Sequence, residues 1–161
     1  MKYKKLWTPS ENHAGNSNMK TFMDVVNQKQ RKAFADYHKL FQWSVENPDE
    51  FWGEFWKFSN IKYSENFSHV VDDPGKMPGA KWFEGAKLNF AENLLQRRDN
   101  HPAIVFNGEF QVEKTITFKQ LYEESHKVAE GLKRIGVKKG DRVAAFMPNM
   151  PETIIAMLAA A

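Results

Sequence analysis

Cysteine is absent from this 161-residue chain. That excludes a disulfide framework, a thiolate metal site and a cysteine nucleophile. Excess charge of one sign is scarce too. Against 23 Lys and Arg stand 20 Asp and Glu, a formal net charge of +3, and the lysines are interleaved with acids. A pI near 9.0 therefore gives a polyanion little to bind. Long hydrophobic runs are missing as well. The start, Met1 to Ser10, carries positive charge with no apolar stretch of signal length behind it, and nothing approaches the ~18 apolar residues of a membrane span. These absences predict a soluble, cytoplasmic protein with neither a membrane nor a nucleic acid as partner. In such a chain the glycosylation triplet Asn66-Phe67-Ser68 reads as chance. Aromatic residues, by contrast, are abundant: 13 Phe, 5 Trp and 4 Tyr are too many for a disordered segment to keep in water.

Residues 1 to about 18 are polar and turn-rich and read as an extended arm. Met19, Phe22, Met23 and Val26 then recur at helical spacing behind Asn18 as the N-cap, predicting a helix to Gln30. Phe34, Tyr37, His38, Phe41 and Val45 continue with a second amphipathic face. At Asn47-Pro48-Asp49-Glu50 a third helix starts, with Asn47 as cap and Pro48 in the first turn, and it carries Phe51, Trp52, Phe55, Trp56 and Phe58. The polar face of that helix holds Asp49, Glu50 and Glu54 against Lys57 alone. A membrane-lying helix needs cations there, so its aromatic stripe is read as packing against protein.

Residues 60 to 87 look irregular, with turn signals at Asp72-Asp73-Pro74-Gly75 and Pro78-Gly79. Asn89 to about Arg98 reads as a capped helix with two arginines at its C-terminal end. Ala103–Phe106 and Phe110–Ile116 read as strands turning at Asn107-Gly108. Thr117 and Gln120 form a capping box ahead of a helix whose apolar face includes Phe118, Leu121, Tyr122, Ser125, Val128, Ala129 and Leu132, ended by Gly136. After a turn at Lys138-Lys139-Gly140-Asp141, Arg142–Met147 reads as a strand buried on both faces, and Pro151-Glu152 opens a last helix. The order helix, strand, helix predicts the opening of an α/β sheet. Residues Ile154 to Ala161 are all apolar with no C-cap, as in a helix belonging to something larger.

No catalytic motif closes. Gly131 to Lys138 mimics a phosphate loop, but Val137 interrupts the Gly-Lys step and the run sits at a helix C-terminus, where carbonyls point outward. His13, His38, His69, His101 and His126 form no metal-ligand pair, and His38 and His126 read as partly buried hydrogen-bonding residues. The neighbouring acids Asp72-Asp73 and Glu123-Glu124 read as solvated faces. Catalytic, cofactor-binding and metal residues are therefore assigned to none of the positions present.

Longer stretches carry the reading further. Ile116-Thr117-Phe118-Lys119-Gln120-Leu121-Tyr122, Ile135 to Ala144, and Met147-Pro148-Asn149-Met150-Pro151-Glu152 resemble the opening of the adenylate-forming acyl-CoA synthetase superfamily. Leu6-Trp7-Thr8-Pro9, Trp43-Ser44-Val45-Glu46, Phe51 to Phe58 and Pro78 to Leu95, ending Ala91-Glu92-Asn93-Leu94-Leu95, resemble the N-terminal region of the acetoacetyl-CoA synthetase family within it.

The resemblance implies an α/β fold, incomplete here: a helical N-terminal cap, then the first hairpin and βα units of the large domain. It divides the chain into an arm and cap over residues 1–99 and the start of an AMP-binding domain over residues 100–161. It also implies a two-step ligation, in which acetoacetate attacks the α-phosphate of ATP and the thiol of CoA then displaces AMP, with Mg²⁺ neutralising phosphate charge. The family's phosphate loop, adenylation motif, ribose-binding Asp and catalytic Lys have no counterpart in these residues. The chain is thus expected to be an inactive N-terminal fragment that binds no ATP, CoA or Mg²⁺ alone, has the remainder of its own polypeptide as partner, and self-associates through exposed apolar surface. A fragment of an acetyl- or propionyl-CoA synthetase, and a stand-alone interaction module docking through its last helix, are the alternatives.

Overall fold

A computed structural model describes residues 6–109 and 112–161. The lysine-rich start through Lys5, and Phe110 at the head of the second expected strand, lie outside the described residues. The chain forms two compact units, one of Met1–Ile61 with Asn66–Ala86 and one of Lys62–Glu65 with Lys87–Ala161.

The first unit is helical with one small hairpin. The expected arm contains a short helix, α1 (Glu11–Gly15), because Ser10 Oγ accepts from the His13 amide. Helix α2 (Asn18–Gln30) is capped by Ser17 rather than Asn18, with Ser17 Oγ accepting from Lys20 N. Its Phe22, Met23 and Val26 are buried, as their spacing predicts. Helix α3 (Tyr37–Glu46) turns a different face inward from the expected one: Leu40 and Trp43 are buried, whereas Phe41 and Val45 are 50% and 62% exposed. The cause lies ahead of the helix. Asn27 holds Phe34 through both backbone atoms, accepting from its N–H at 2.8 Å and donating to its carbonyl at 3.1 Å. Phe34 is thereby kept out of the helix and packs on Trp43.

Helix α4 (Pro48–Phe58) begins at proline with Asn47 at its N-cap, as expected, but the Asn47 side chain makes no capping hydrogen bond. Its side-chain amide donates to Trp43 O and closes α3 instead. The rings of Phe51, Phe55 and Phe58 surround Phe22 at centroid distances of 5.1 to 5.8 Å. The stretch expected to be irregular holds an antiparallel pair, β1 (His69–Val71) and β2 (Trp82–Glu84). Three-residue strands leave too little alternation to be read from sequence. What registers them is Asp72, whose Oδ1 accepts the amides of Asp73 and Lys81 across the hairpin mouth. Gly53 is where α4 meets β1: a Cβ there would lie 3.3 Å from Val70 Cγ2.

The second unit is a hairpin covered by helices. Helix α5 (Phe90–Leu94), capped by Asn89, is shorter than expected. Arg97 and Arg98 lie beyond its end and stack over Phe118 and Tyr122 at 4.7 and 3.8 Å; Arg97 Nε also pairs with Asp99 at 2.8 Å, and Arg98 Nε donates to the C-cap carbonyl of Leu95 at 3.5 Å. Strands β3 (Pro102–Gly108) and β4 (Val112–Thr117) pair antiparallel. Asn107 and Gly108 are paired strand residues, not the turn, which falls beyond them where Glu109 takes a φ of 50°. Gly108 is needed for space: a Cβ would approach the Phe106 ring to 3.1 Å.

Helix α6 (Phe118–Arg134) carries the complete capping box between Thr117 and Gln120. It ends in a Schellman arrangement, with Gly136 at φ 95° and Val137 N–H donating to Leu132 O. Helix α7 (Pro151–Ala160) closes the unit. Ala91, Leu95, Ile116, Leu121, Ile155 and Leu158 form its core. The expected strand Arg142–Met147 is neither paired nor buried. A strand enclosed on both faces needs neighbours, and the described residues supply none beside it.

Ser125 is 2% exposed on α6, and its hydroxyl has no hydrogen-bond partner among the described residues. Ser125→Ala removes that desolvation cost and should raise stability by about 1 kcal/mol in a urea melt. Thr117→Ala, by contrast, should cost about 1 kcal/mol.

Candidate functional site

The first unit buries one carboxylate. Helix α4 places Phe51, Glu54 and Phe58 on one stripe, and Glu54 is 6% exposed. Its Oε1 accepts from Lys57 Nζ at 2.8 Å and Gln30 Nε2 at 3.2 Å, and Lys29 Nζ stands 3.9 Å from Oε2. Burial pushes the carboxyl pKa up. The hydrogen bond and charge of Lys57, with Gln30 and Lys29, outweigh it, and the pKa lies below the ordinary glutamate value. Glu54 is therefore an anion at neutral pH, held by donors from two helices, and a poor proton source. It borders an open groove of about 290 Å³ shared with Asp49, Glu50 and His69. Among the described residues, no three His, Asp or Glu come together to hold a metal ion. Sequence reading missed the burial of Glu54, although its position between Phe51 and Phe58 on the inward stripe is the signal that marks it.

The other residues singled out from sequence are not brought together. His38 and His126 are exposed, not partly buried; each lies against a tyrosine ring, Tyr37 and Tyr122, at 5.8 and 6.0 Å. On α6 the inward positions are Leu121 and Ser125, which turns the next residue outward. Asp72 serves the hairpin: the Lys81 amide and the Lys76 ammonium hold its carboxyl well below the usual range. Asp73 Oδ1 accepts from Gly75 N at 2.9 Å, and Glu124 pairs with Lys127 at 2.7 Å. His69, unremarkable in sequence, meets Glu84 across the strands at 3.0 Å. At the phosphate-loop mimic, the amides of Ile135, Gly136 and Val137 all donate to carbonyls of α6. None of the three is free for a phosphate oxygen.

The second unit offers an apolar groove of about 480 Å³ between β4, α6 and α7, walled by Ile116, Val128, Met147 and Ile155. A Lys114–Glu152 ion pair stands at its rim. The groove contains no nucleophile beside a base. Its chemistry is that of a surface to be packed upon.

Comparison with known proteins supplies the context. The family model for the acetyl-coenzyme A synthetase N-terminus matches residues 37–94, and that for AMP-binding enzymes matches residues 90–161. The two overlap on α5. An acetoacetyl-CoA synthetase of Xenopus tropicalis is 39% identical over 165 aligned residues, covering 100% of this chain and 24% of its own. The solved acetoacetyl-CoA synthetase from Streptomyces lividans superposes with a TM-score of 0.82 at 31% identity, over 99% of this chain and 25% of that one. The chain belongs to the adenylate-forming acyl-CoA synthetase superfamily. Within that superfamily it corresponds to the N-terminal part of acetoacetyl-CoA synthetases, and it spans about a quarter of the length of the relatives it matches. An acetyl-coenzyme A synthetase of Yersinia pestis is 44% identical over 131 residues, covering 78% of this chain.

In this superfamily member, Glu54 ties α2 to α4. Because its folded pKa is depressed, its contribution is present above the unfolded value of about 4.3 and is lost as pH falls through the folded value. Glu54→Gln should lower stability by about 1–3 kcal/mol at pH 7 and flatten the acid limb of the stability profile below pH 5. Denaturant melts of both proteins between pH 3 and 7 check this.

Proposed function

We propose that this chain is the N-terminal cap and the opening of the large domain of an ATP-dependent acetoacetate–CoA ligase, which makes acetoacetyl-CoA, AMP and pyrophosphate from acetoacetate, ATP and CoA through an acyl-adenylate. The observation that carries the reading is coverage. Likeness to the Xenopus acetoacetyl-CoA synthetase runs the whole length of the chain, while likeness to the Yersinia acetyl-coenzyme A synthetase stops at 78% of it. The higher identity of the latter, 44% against 39%, keeps an acetate-specific ligase as the second reading.

Residues 1–99 are assigned to the arm and cap and residues 100–161 to the start of the AMP-binding domain, with α5 and Leu95 packing into the core of the second unit. ATP, CoA and Mg²⁺ belong to the intact enzyme. None of the described residues is assigned to these groups: no three His, Asp or Glu come together among them, and the amides of the phosphate-loop mimic are already bonded. No step of the reaction is therefore assigned to this chain, whose contribution is architectural. No described helix is long and apolar enough to cross a membrane, and the intact enzyme is expected to act in the cytoplasm. Exposed apolar side chains such as Ile135 and Phe146 predict weak self-association of the 161-residue chain.

The test is acyl-dependent exchange of pyrophosphate into ATP by the intact enzyme. Acetoacetate should support it at least tenfold better than acetate. The reverse order replaces the proposal with the acetate reading. The 161-residue chain should give no exchange above a mock preparation, and adenylate formation by it overturns the fragment reading.

A further inference from the structure

The periodicity of α3 marks one face of the helix as apolar, and the tertiary structure turns that face outward. Tyr37, Phe41 and Val45 stand at i, i+4 and i+8 and are 53%, 50% and 62% exposed, while Leu40 and Trp43 fill the core. The rings of Tyr37 and Phe41 stack on each other at a centroid distance of 6.2 Å, so two of the three side chains hold one another in place. The row spans about 12 Å of helix. Single apolar residues are common on a protein surface, whereas a contiguous row marks a place where something packs.

The neighbouring row identifies the occupant. His38, Gln42 and Glu46 form the adjacent ridge of the same helix, and all three are exposed. That ridge runs from a hydrogen-bond donor at the N-terminal end to an anion at the C-terminal end. Gln42 Nε2 donates to Glu46 Oε1 at 2.6 Å and holds the carboxylate in line. A membrane surface would require cations along the whole border, and a strongly charged partner would require one sign throughout. This border complements itself instead. When two copies of α3 pack antiparallel about a two-fold axis at Phe41, Phe41 meets Phe41, Tyr37 of each copy meets Val45 of the other, and His38 of each faces Glu46 of the other. The two helix dipoles are then opposed, which is their favourable arrangement.

We propose that the outer face of α3 is a homotypic contact, through which two copies of this chain associate as an antiparallel, two-fold pair. The inference goes beyond the ligase reading and is independent of the substrate. Three half-exposed side chains per copy fall well short of the ~800 Å² per partner of a stable interface, so the dimer is expected to be weak, with a Kd on the order of 100 μM. The competing occupant is polypeptide beyond residue 161 of the intact protein, since this chain covers 24% of the Xenopus relative.

Sedimentation equilibrium between about 10 μM and about 1 mM covers that range. Phe41→Glu should raise the Kd at least tenfold. His38→Glu and Glu46→Lys should each raise it at least threefold, and the double variant, which exchanges the facing charges, should restore the original value. Thermal melts of each variant confirm that it is folded, which is expected because all three side chains are exposed in the single copy. The chain has no cysteine, so Gln42→Cys introduces a unique thiol beside the axis. That thiol should cross-link copy to copy under mild oxidation, both in the 161-residue chain and in the product of the complete reading frame. A chain that stays monomeric throughout, a dimer indifferent to Phe41→Glu, or a double variant no better than its singles overturns the proposal. So does an intact protein that forms no such cross-link, and shielding of the thiol from alkylation in that protein assigns the face to its own later polypeptide.

Discussion

The contact on which the second unit depends is the seating of Ile155 and Leu158 of α7 against Ile116, Leu121 and Leu95. A two-stranded hairpin is marginal in water, and β3–β4 has no third strand among the described residues. Each large aliphatic side chain buried here contributes about 1.5–3 kcal/mol, and α7 supplies two of them. Without α7 the hairpin and α6 would share one thin layer of contacts. With it, a strand, two long helices and the short α5 enclose a core. The same helix leaves Ile154 and Met157 exposed on its other flank, so one element both completes this core and keeps apolar surface outside it.

The first unit solves a different problem by a different means. Its elements are short, and aromatic rings let them meet over large areas. Phe22 stands among three phenylalanines of α4, while Trp56, Phe67 and Phe83 join α4 to the β1–β2 hairpin at centroid distances of 4.7 to 5.3 Å. Trp52, Phe55 and Trp82 remain partly exposed, so the cluster is a shell as much as a core. Glu54 is the polar pin in that shell, tolerable because Lys57, Gln30 and Lys29 surround it.

In both units the described polar groups that the sequence singles out are engaged in holding local structure. The amides of the phosphate-loop mimic are spent on ending α6, the adjacent acids hold a hairpin or pair with lysine, His126 stacks on Tyr122, His38 meets Tyr37 edge-on, and His69 faces a cross-strand glutamate. The matched span is a quarter of the relatives' length.

Helices were legible wherever a cap and a helical period coincided. Thr117 with Gln120, Pro48, Gly136 and the Phe22, Met23, Val26 face all stand as the sequence predicts, because capping and left-handed glycine are local chemistry settled within a few residues. The inward face of α3, the β1–β2 pair, the shift of the hairpin turn past Gly108 and the burial of Glu54 were not legible. Three of these four depend on a partner beyond the range of a helical turn: Asn27 on Phe34, Asp72 on Lys81, Gln30 on Glu54. Arg142–Met147 makes the division plain. Its own residues determine that it is apolar and bounded by turns, and its placement along α7 was decided only by tertiary structure, since a strand is defined by hydrogen bonds to a neighbour that its own sequence does not contain.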